Sequence, residues 1–528
     1  MDTKALRQKV LDLAIRGKLV PQDPNDEPAS VLLERIRQQK QQMVEEGKLK
    51  AKDIKNDTII FVGEDNLHYE KFADGCVKCI EDEIPYDLPE GWVWARLGSV
   101  AEAIGDGDHQ PPPQTSFGVP FLVISNVSSG QLSFENTRFV SEEYFSQLPE
   151  TRKPRNGDLL FTVTGSYGIP VLVDTDDKFC FQRHIAIVRP CNISNRYLYV
   201  VLGSSYVKSI CDTKATGTAQ KTVGLATLRE LLIPVAPYKE QMQIYTQTQD
   251  ALSIVDSISS DKADLLNIIE NTKAKILDLA IRGQLVPQDP NDEPASVLLE
   301  RIKAEKEELI KQGKIKRDKK ESIIFRGEDN SYYLNDGVST NDISEDMPFD
   351  IPDSWSWGKL KDIVMINPRN KLDDDTDVAF IPMPLIEDGF SGHHASEVRK
   401  WKDIKAGFTH FKEGDVGVAK ITPCFENRKS VIFENLINGY GAGTTELYIF
   451  RPYNRTILSR YLLAYMKSAQ FIENGKQTFS GAVGQQRISK EYVENAYFPI
   501  PPLAEQERII HQLAVVFNYL NIISEALS

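Results

Sequence analysis

The side chains of this 528-residue chain that could do chemistry fall into few groupings, and most of them lack the company that catalysis needs. Cys76-x-x-Cys79 is the sole CxxC spacing. A structural zinc site takes four ligands, and the matching place in the second half of the chain holds no cysteine. His393-His394 stands without a carboxylate-rich helix beside it, and Asp373-Asp374-Asp375 reads as solvated loop charge. No glycine-rich phosphate loop occurs, so nucleotide hydrolysis has no cradle, and no Asn-Pro-Pro-Tyr-like tetrapeptide marks a methyl-transfer site. The reading is a chain with no catalytic residues and no metal site. Recognition chemistry remains. Base edges are read by side chains that both donate and accept, and by Arg or Lys at guanine. Phosphates are held by Lys, Arg, hydroxyls and backbone amides. Gln110, Asn126, Gln182, Arg183, Lys420, Asn427, Gln485 and Arg487 have that chemistry, although each could equally tie down a loop.

These residues sit in a chain that repeats itself, and a repeat decides architecture before any motif does. Leu11 to Gly17 returns as Leu277 to Gly283, and Leu19 to Ile36 returns almost unbroken as Leu285 to Ile302. Ile59-Ile60-Phe61 pairs with Ile323-Ile324-Phe325, Gly63 to Asn66 with Gly327 to Asn330, and Trp92 and Trp94 with Trp355 and Trp357. The copies then diverge and converge again at Gly217-Thr218-Ala219-Gln220 and Gly481 to Gln485, at Ile233 to Pro237 and Phe498 to Pro502, and at Glu240-Gln241 and Glu505-Gln506. Two constant frames thus enclose two different middles. The segment after Gln506 lacks the second half of its counterpart after Gln241, and the chain begins with that missing half. The N- and C-terminal helices should therefore pair to rebuild the central segment, giving a pseudo-two-fold particle with neighbouring termini.

The elements that must position the candidates follow from periodicity. From Lys239 to Gly283, Leu252, Val255, Ile258, Leu265, Ile269, Ile276 and Leu279 fall at helical spacing on one seam. No proline interrupts them and Gly283 supplies a stop; wholly helical, the segment spans about 65 Å at 1.5 Å per residue. Ala29 to Gly47 and Ala295 to Gly313 predict further helices, and Lys48 to Lys55 and Lys314 to Lys320 exposed linkers. In the middles, 119–124, 158–163, 185–188, 378–383, 415–419 and 447–450 read as strands, and 197–213 and 459–474 as helices. Gly157-Asp158 and Gly414-Asp415 mark matching turns into the central strand. The four paired tryptophans read as core.

Composition limits what this architecture serves. The hydrophobic fraction of 41% permits substantial cores, and no run of eighteen apolar residues predicts a membrane span. Six cysteines in a chain this long do not make a disulfide framework, and the start is not an apolar secretion signal; a reducing, cytoplasmic setting fits. The net charge of -14 argues against a nucleic-acid binder until it is divided. The middles are close to neutral, with about 14 basic and 14 acidic residues between Trp92 and Glu240 and about 19 and 18 between Trp355 and Gln506. The acidity lies in the helices and linkers.

Taken together, the doubled close (Gly-x-x-Gln, then Pro-x-x-Pro, then Glu-Gln, then a long helix) resembles that of the specificity subunits of type I restriction-modification enzymes, over nearly the whole chain. The second copy carries an extra glycine, Gly484. The resemblance implies a mixed α/β (α+β) fold: two globular target recognition domains separated by long antiparallel coiled-coil helices. It places an N-terminal helical segment at 1–50, a linker at 51–91, the first recognition domain at 92–238, a central helical spacer at 239–303, a linker at 304–354, the second domain at 355–502 and a C-terminal helix at 503–528. Each domain would read one half of a split, asymmetric site in double-stranded DNA. The helices would set the spacing and bind two methyltransferase subunits, with two motor-nuclease subunits for cleavage. S-adenosylmethionine, ATP and magnesium would belong to those partners, with no cofactor on this chain and no role for a membrane.

The first middle resembles one version of such a domain through Gly105 to Pro112, Ile124-Ser125-Asn126, Thr162 to Ser166 and Phe181 to His184. The second resembles another through Trp401-x-x-Ile404, Ala419 to Asn427 and Gly443 to Glu446; similar chains carry Gly-Lys after that Glu-Asn, where this one has Arg428-Lys429. The DNA-facing candidates are Asp106, His109, Gln110, Ser125, Asn126, Thr164, Ser166, Gln182, Arg183, Gln220 and Lys221 in the first half, and Lys420, Thr422, Asn427, Lys429, Thr444, Thr445, Gln485, Gln486 and Arg487 in the second. Gly217 and Gly481 read as backbone turn requirements. The repeated apolar patches Leu32, Leu33, Ile36 and Leu298, Leu299, Ile302 are the candidates for partner binding. Two other readings stay open: a coiled-coil adaptor that binds only proteins, which predicts no sequence-selective DNA binding, and an enzyme with an unrecognised site, which predicts turnover by the chain alone.

Overall fold

The computed structural model describes residues 2–108, 112–217, 220–317, 322–453, 456–482 and 484–527. It divides into two compact units, Met1–Asp261 and Lys262–Ser528, each mixed in helix and strand.

The centre of each unit is a four-stranded antiparallel sheet. Its order is Ala101–Asp106, Ile185–Pro190, Leu159–Thr162, Pro170–Leu172 in the first, and Val364–Ile366, Leu447–Pro452, Val416–Ala419, Ser430–Ile432 in the second. Alternate residues of a strand point to opposite faces, and these central strands feed a core on each side. Leu159, Phe161, Ala186 and Val188 enter one cluster while Leu160, Ile185 and Ile187 enter another. Val416, Val418 and Phe450 are likewise separated from Ala419, Leu447 and Ile449. Burial on both faces is why these strands read as continuous apolar runs.

The turn into each central strand is held by a buried ion pair. Asp158 accepts from Arg189 at 2.9 and 2.8 Å and from the Arg155 amide at 2.8 Å. Asp415 accepts from Arg451 at 2.8 and 2.7 Å and from the Lys412 amide at 2.8 Å. Burial pushes the Asp415 carboxyl up, against the pull of that guanidinium.

The second sheets differ. In the first unit Val119–Leu122 lies between Cys180–Phe181, parallel to it, and Arg138–Val140. In the second, four strands run in the order Glu397–Lys400, Asp377–Ile381, Tyr440–Gly443, Thr409–Lys412. Each lobe is closed by a strand pair from its two ends, Val93–Arg96 with Leu232–Val235 and Ser356–Lys359 with Tyr497–Ile500.

The sequence motifs at these closures are latches. The indole N–H of Trp92 donates to Glu240 at 2.9 Å, and Gln22 reaches the same carboxylate at 3.2 Å. Trp355 donates to Glu505 at 2.9 Å, and Gln288 joins it at 2.5 Å. Gln241, fully buried, accepts from the Ser194 amide at 2.9 Å and donates to the Ala236 carbonyl at 2.8 Å; Gln506 accepts from Leu458 at 2.9 Å. The repeated Glu-Gln thus fastens the helical frame to its lobe. All four paired tryptophans are buried, as expected.

Several expectations need correction. The helix read over 197–213 is two, Asn195–Leu202 and Ser205–Lys214, and that over 459–474 is also two, Ser459–Lys467 and Ala469–Lys476. Ser204 and Ser468 sit at the breaks, and each hydroxyl accepts from the amide three residues on, a side-chain cap that competes with continuing the helix. The stretches read as linkers each contain a three-stranded antiparallel sheet: Ile59–Val62, His68–Lys71 and Val77–Cys79, then Ile323–Arg326, Tyr332–Asn335 and Thr340–Asp342. The long helix runs Tyr238–Ile281 without interruption. Its seam does bury Leu252, Val255 and Ile269, but Leu265 is 45% exposed. Gly283 ends it with φ +69°, where a Cβ would meet Pro352 Cγ at 2.4 Å.

Candidate nucleic-acid interface

In the first lobe, segments distant in sequence meet beyond the end of the central strand Leu159–Thr162. Thr164 pairs with Thr222 through a backbone bridge, with their hydroxyls 3.2 Å apart. The Gly165 amide donates to the Lys221 carbonyl at 3.2 Å, and Val163 donates to His184 at 2.9 Å. Gln182 bridges Asp108, and the Arg183 amide donates to the Asp108 carbonyl at 3.1 Å. Thr164, Ser166, Gln182, Arg183, Gln220 and Lys221 therefore share one rim with the end of the strand that carries Asp106. Gly217 adopts φ +111°, and a Cβ there would lie 2.4 Å from the Gln220 carbonyl oxygen.

Ser166, Arg183, Gln220 and Lys221 are exposed on this rim, and Thr164 is buried. Arg152 braces the two acids beneath, 2.6 Å from Asp108 and 4.0 Å from Asp106. Neither Arg183 nor Lys221 forms a salt bridge among the described residues; the Arg183 guanidinium approaches His184 Nε2 at 3.5 Å. Burial, with Arg183 beside it, holds His184 below the usual imidazole range, hence neutral at pH 7. Ser125 is exposed, but Asn126 is 3% exposed and fully engaged: its side chain accepts from the Val123 amide at 3.0 Å and donates to the Glu135 carbonyl at 3.0 Å. Asn126 fixes a loop and is in no position to meet a ligand. His109 and Gln110 lie outside the described residues.

The second lobe builds the equivalent rim from different side chains. The Lys420 amide donates to the Glu446 carbonyl at 3.0 Å, Thr422 donates to Gln486 at 2.8 Å, and Ile421 bridges Arg487. The Gln486 amide returns to the Thr422 hydroxyl at 3.1 Å, and Thr444 accepts from the Glu446 amide at 3.1 Å. Arg487 is held in a fork against Glu446 at 2.9 and 2.8 Å and also donates to the Gln485 carbonyl at 2.9 Å. The guanidinium keeps Glu446 below the usual carboxylate range. Lys420 lies 5.4 Å from the Tyr448 ring centroid. Thr445 and Gln485 are exposed, and Gly481 adopts φ +116° as Gly217 does.

Lys429 is drawn elsewhere, whereas Asn427 is exposed and engaged through its backbone. Asn427 offers its carbonyl to the Gly389 amide at 2.8 Å, and Lys429 donates to the Met383 carbonyl at 3.2 Å and pairs with Asp388 at 3.3 Å. Arg428 adopts φ 54°. Its guanidinium donates to the Lys467 carbonyl at 3.1 Å and lies 5.0 Å from the Phe390 ring centroid.

Sequence reasoning missed Thr222, Arg152 and Tyr448 and left Glu446 off the candidates. Only the strand register brings Thr222 to Thr164, and nothing near Arg152 in sequence points to Asp108. The helix patches proposed for partners are also corrected: Leu32, Ile36, Leu298 and Ile302 are buried in the core of their own units, with Leu33 and Leu299 packed partly buried against them. Cys76 and Cys79 are exposed. No described helix is long and apolar enough to cross a membrane.

The family model "Type I restriction modification DNA specificity domain" matches twice, over residues 89–270 and 352–528. Among curated proteins, the type I restriction enzyme EcoAI specificity subunit of Escherichia coli is 47% identical over 272 residues, 51% of this chain and 43% of that one. The EcoEI specificity subunit of Escherichia coli is 43% identical over 273 residues, again 51% and 43%. The match thus spans less than half the length of these relatives. A crystal structure of an HsdS subunit from Thermoanaerobacter tengcongensis aligns at 18% identity with a TM-score of 0.47, covering 84% of this chain and 93% of that one.

Proposed function

This chain belongs to the type I restriction modification DNA specificity domain family, and from that premise we propose that it is the non-catalytic subunit that gives a type I restriction-modification complex its DNA sequence specificity. Each lobe reads one half of a bipartite, asymmetric site in double-stranded DNA. The helical segments set the spacing and carry two methyltransferase subunits, with two motor-nuclease subunits added for cleavage. S-adenosylmethionine, ATP and magnesium act on those partners, in the cytoplasm.

The observation that carries this reading is the paired rim. The same central sheet order, with a positive-φ glycine beside it in each lobe, presents Ser166, Arg183, Gln220 and Lys221 in one lobe and Lys420, Thr445, Gln485 and Arg487 in the other. A constant scaffold with exchanged donors and acceptors suits two base sequences read in one manner. Arg and Lys on the rim also supply phosphate contacts that position without specifying. Chemistry then falls to the partner, which takes the target base out of the stack.

Single-molecule methylome sequencing of a plasmid tests this, with the chain co-expressed beside a methyltransferase subunit. N6-methyladenine in one split motif, lost when the chain is omitted, is the expected result. A stable complex whose methylation does not depend on the chain would overturn the reading in favour of a protein adaptor.

A further inference from the structure

The small sheets in the two stretches read as linkers take no part in either rim. In both, the first strand buries its second isoleucine, Ile60 or Ile324, and turns its neighbours outward. Ile59 and Phe61 are 45% and 41% exposed, and Ile323 and Phe325 are 50% and 43% exposed. The register sets Phe61 opposite Tyr69 and Phe325 opposite Tyr333. The two ring pairs have the same geometry, with centroids 5.9 and 5.8 Å apart and planes at 26° in each. The tyrosine hydroxyls donate to Asp65 at 2.7 Å and to Asp329 at 2.8 Å.

The rest of each sheet has changed between the copies. Glu70, buried against Arg96, faces the protein in the first, where Leu334 stands in the second. The third strands, Val77-Lys78-Cys79 and Thr340-Asn341-Asp342, share no residue. The exposed Ile and Phe of the first strand stay alike while the third strand diverges, and the half-buried Tyr beneath them is held in both copies by the turn aspartate. The turn beside these residues carries exposed acids in both copies, Glu64 and Asp65 in one and Glu328 and Asp329 in the other, while Lys71 stands opposite Ile59 in the first and Asn335 opposite Ile323 in the second.

We infer that the outward faces of these two sheets are docking surfaces for one and the same protein subunit, bound twice per chain, through a patch that is apolar at its centre and rimmed by lysine or arginine. That subunit is the methyltransferase, an identification that rests on the proposed function. A centre of Ile, Phe and Tyr repeated twice on one chain suits one partner bound twice, and the acidic turn at its edge favours a basic one. Three apolar side chains fall short of the roughly 800 Å² per partner of a standard interface. The face therefore anchors a contact that continues onto the frame, to which the segment leading into the first sheet is tied by the Lys40–Asp57 pair at 2.6 Å.

The test uses the full chain copurified with its methyltransferase subunit, compared by native mass spectrometry across a dilution series. Wild type is expected to hold two subunits and to methylate its split motif. Phe61→Asp and Phe325→Asp should each lose one subunit at concentrations where wild type stays loaded, a weakening of at least tenfold at one site, and the double variant should lose both. Phe61→Ser with Phe325→Ser, checked by circular dichroism, guards against misfolding and should shift the same way to a smaller extent. A folded double variant that still holds two subunits with unchanged affinity would sink the docking inference alone. A wild-type complex whose methylation ignores this chain would sink the proposed function instead.

Discussion

The two rims differ in how their cations are held. On the first, Arg183 and Lys221 are exposed without a salt bridge among the described residues, while the acids Asp106 and Asp108 are braced by Arg152. On the second, Arg487 is clamped to Glu446 and Lys420 lies by an aromatic ring. The scaffolds beneath them are equivalent, down to the buried Asp–Arg pair at the central turn and the Trp–Glu latch at the closure. A free cation adapts to a phosphate, whereas a guanidinium fixed in orientation suits bidentate recognition of one base edge. The lesson is that over a shared central sheet the lobes differ in how far their contacts are preorganised, as well as in their second sheets.

The largest effect should test the shared scaffold. Removing one partner of a buried ion pair leaves the other charge uncompensated and costs about 3–5 kcal/mol. Asp158→Ala and Asp415→Ala should therefore destabilise the protein to a similar degree in urea unfolding; a large cost from one and less than about 1 kcal/mol from the other would break the equivalence.

A smaller effect sharpens the contrast between the rims. Arg487→Ala removes an oriented donor and releases the Glu446 carboxylate toward DNA, so binding should weaken by about tenfold and discrimination should relax in one half-site only. Lys221→Ala should weaken binding evenly across sequences and lower the log–log salt slope by about one. Fluorescence anisotropy of the partner-loaded complex, with half-site variants at several salt concentrations, distinguishes the two. The reverse pattern would mean that the clamped and free cations have exchanged roles.

The smallest effect concerns the latches. Burial raises the carboxyl pKa of Glu240 and Glu505, with hydrogen bonds from Gln22 and Trp92, and from Trp355 and Gln288, opposing it. The folded state then binds the proton more tightly than the unfolded chain, where the ordinary glutamate value is 4.5. The contribution to stability is greatest at low pH and falls as pH rises from that value through the raised one. Glu240→Gln keeps an acceptor for the indole and should flatten this slope in urea midpoints measured from pH 4.5 to 7. An unchanged slope would show that Glu240 does not titrate in the window.

Much of this fold is legible in the sequence because both copies carry the signals. The paired Gly-Asp turns, the apolar central strands and the four tryptophans are short-range features fixed by burial. The helix breaks at Ser204 and Ser468 escape a reading by apolar spacing, since the seam continues across a capping hydroxyl. The sheets at 59–79 and 323–342 escape because their outward faces are apolar and their third strands are not alternating. The rim is legible only in part. Candidate side chains can be picked by type, but Thr222, Arg152 and Glu446 matter through pairings set by register. Asn126 has the right chemistry for base reading and is consumed by its own loop.

The central claim, that each lobe reads its own half-site, is tested most directly by replacing residues 92–234 with the corresponding segment of a family member of different specificity and sequencing the methylome. The account predicts a new split motif with one half exchanged and the other half unchanged. A motif changed in both halves, or in neither, from a complex that assembles and methylates would contradict it.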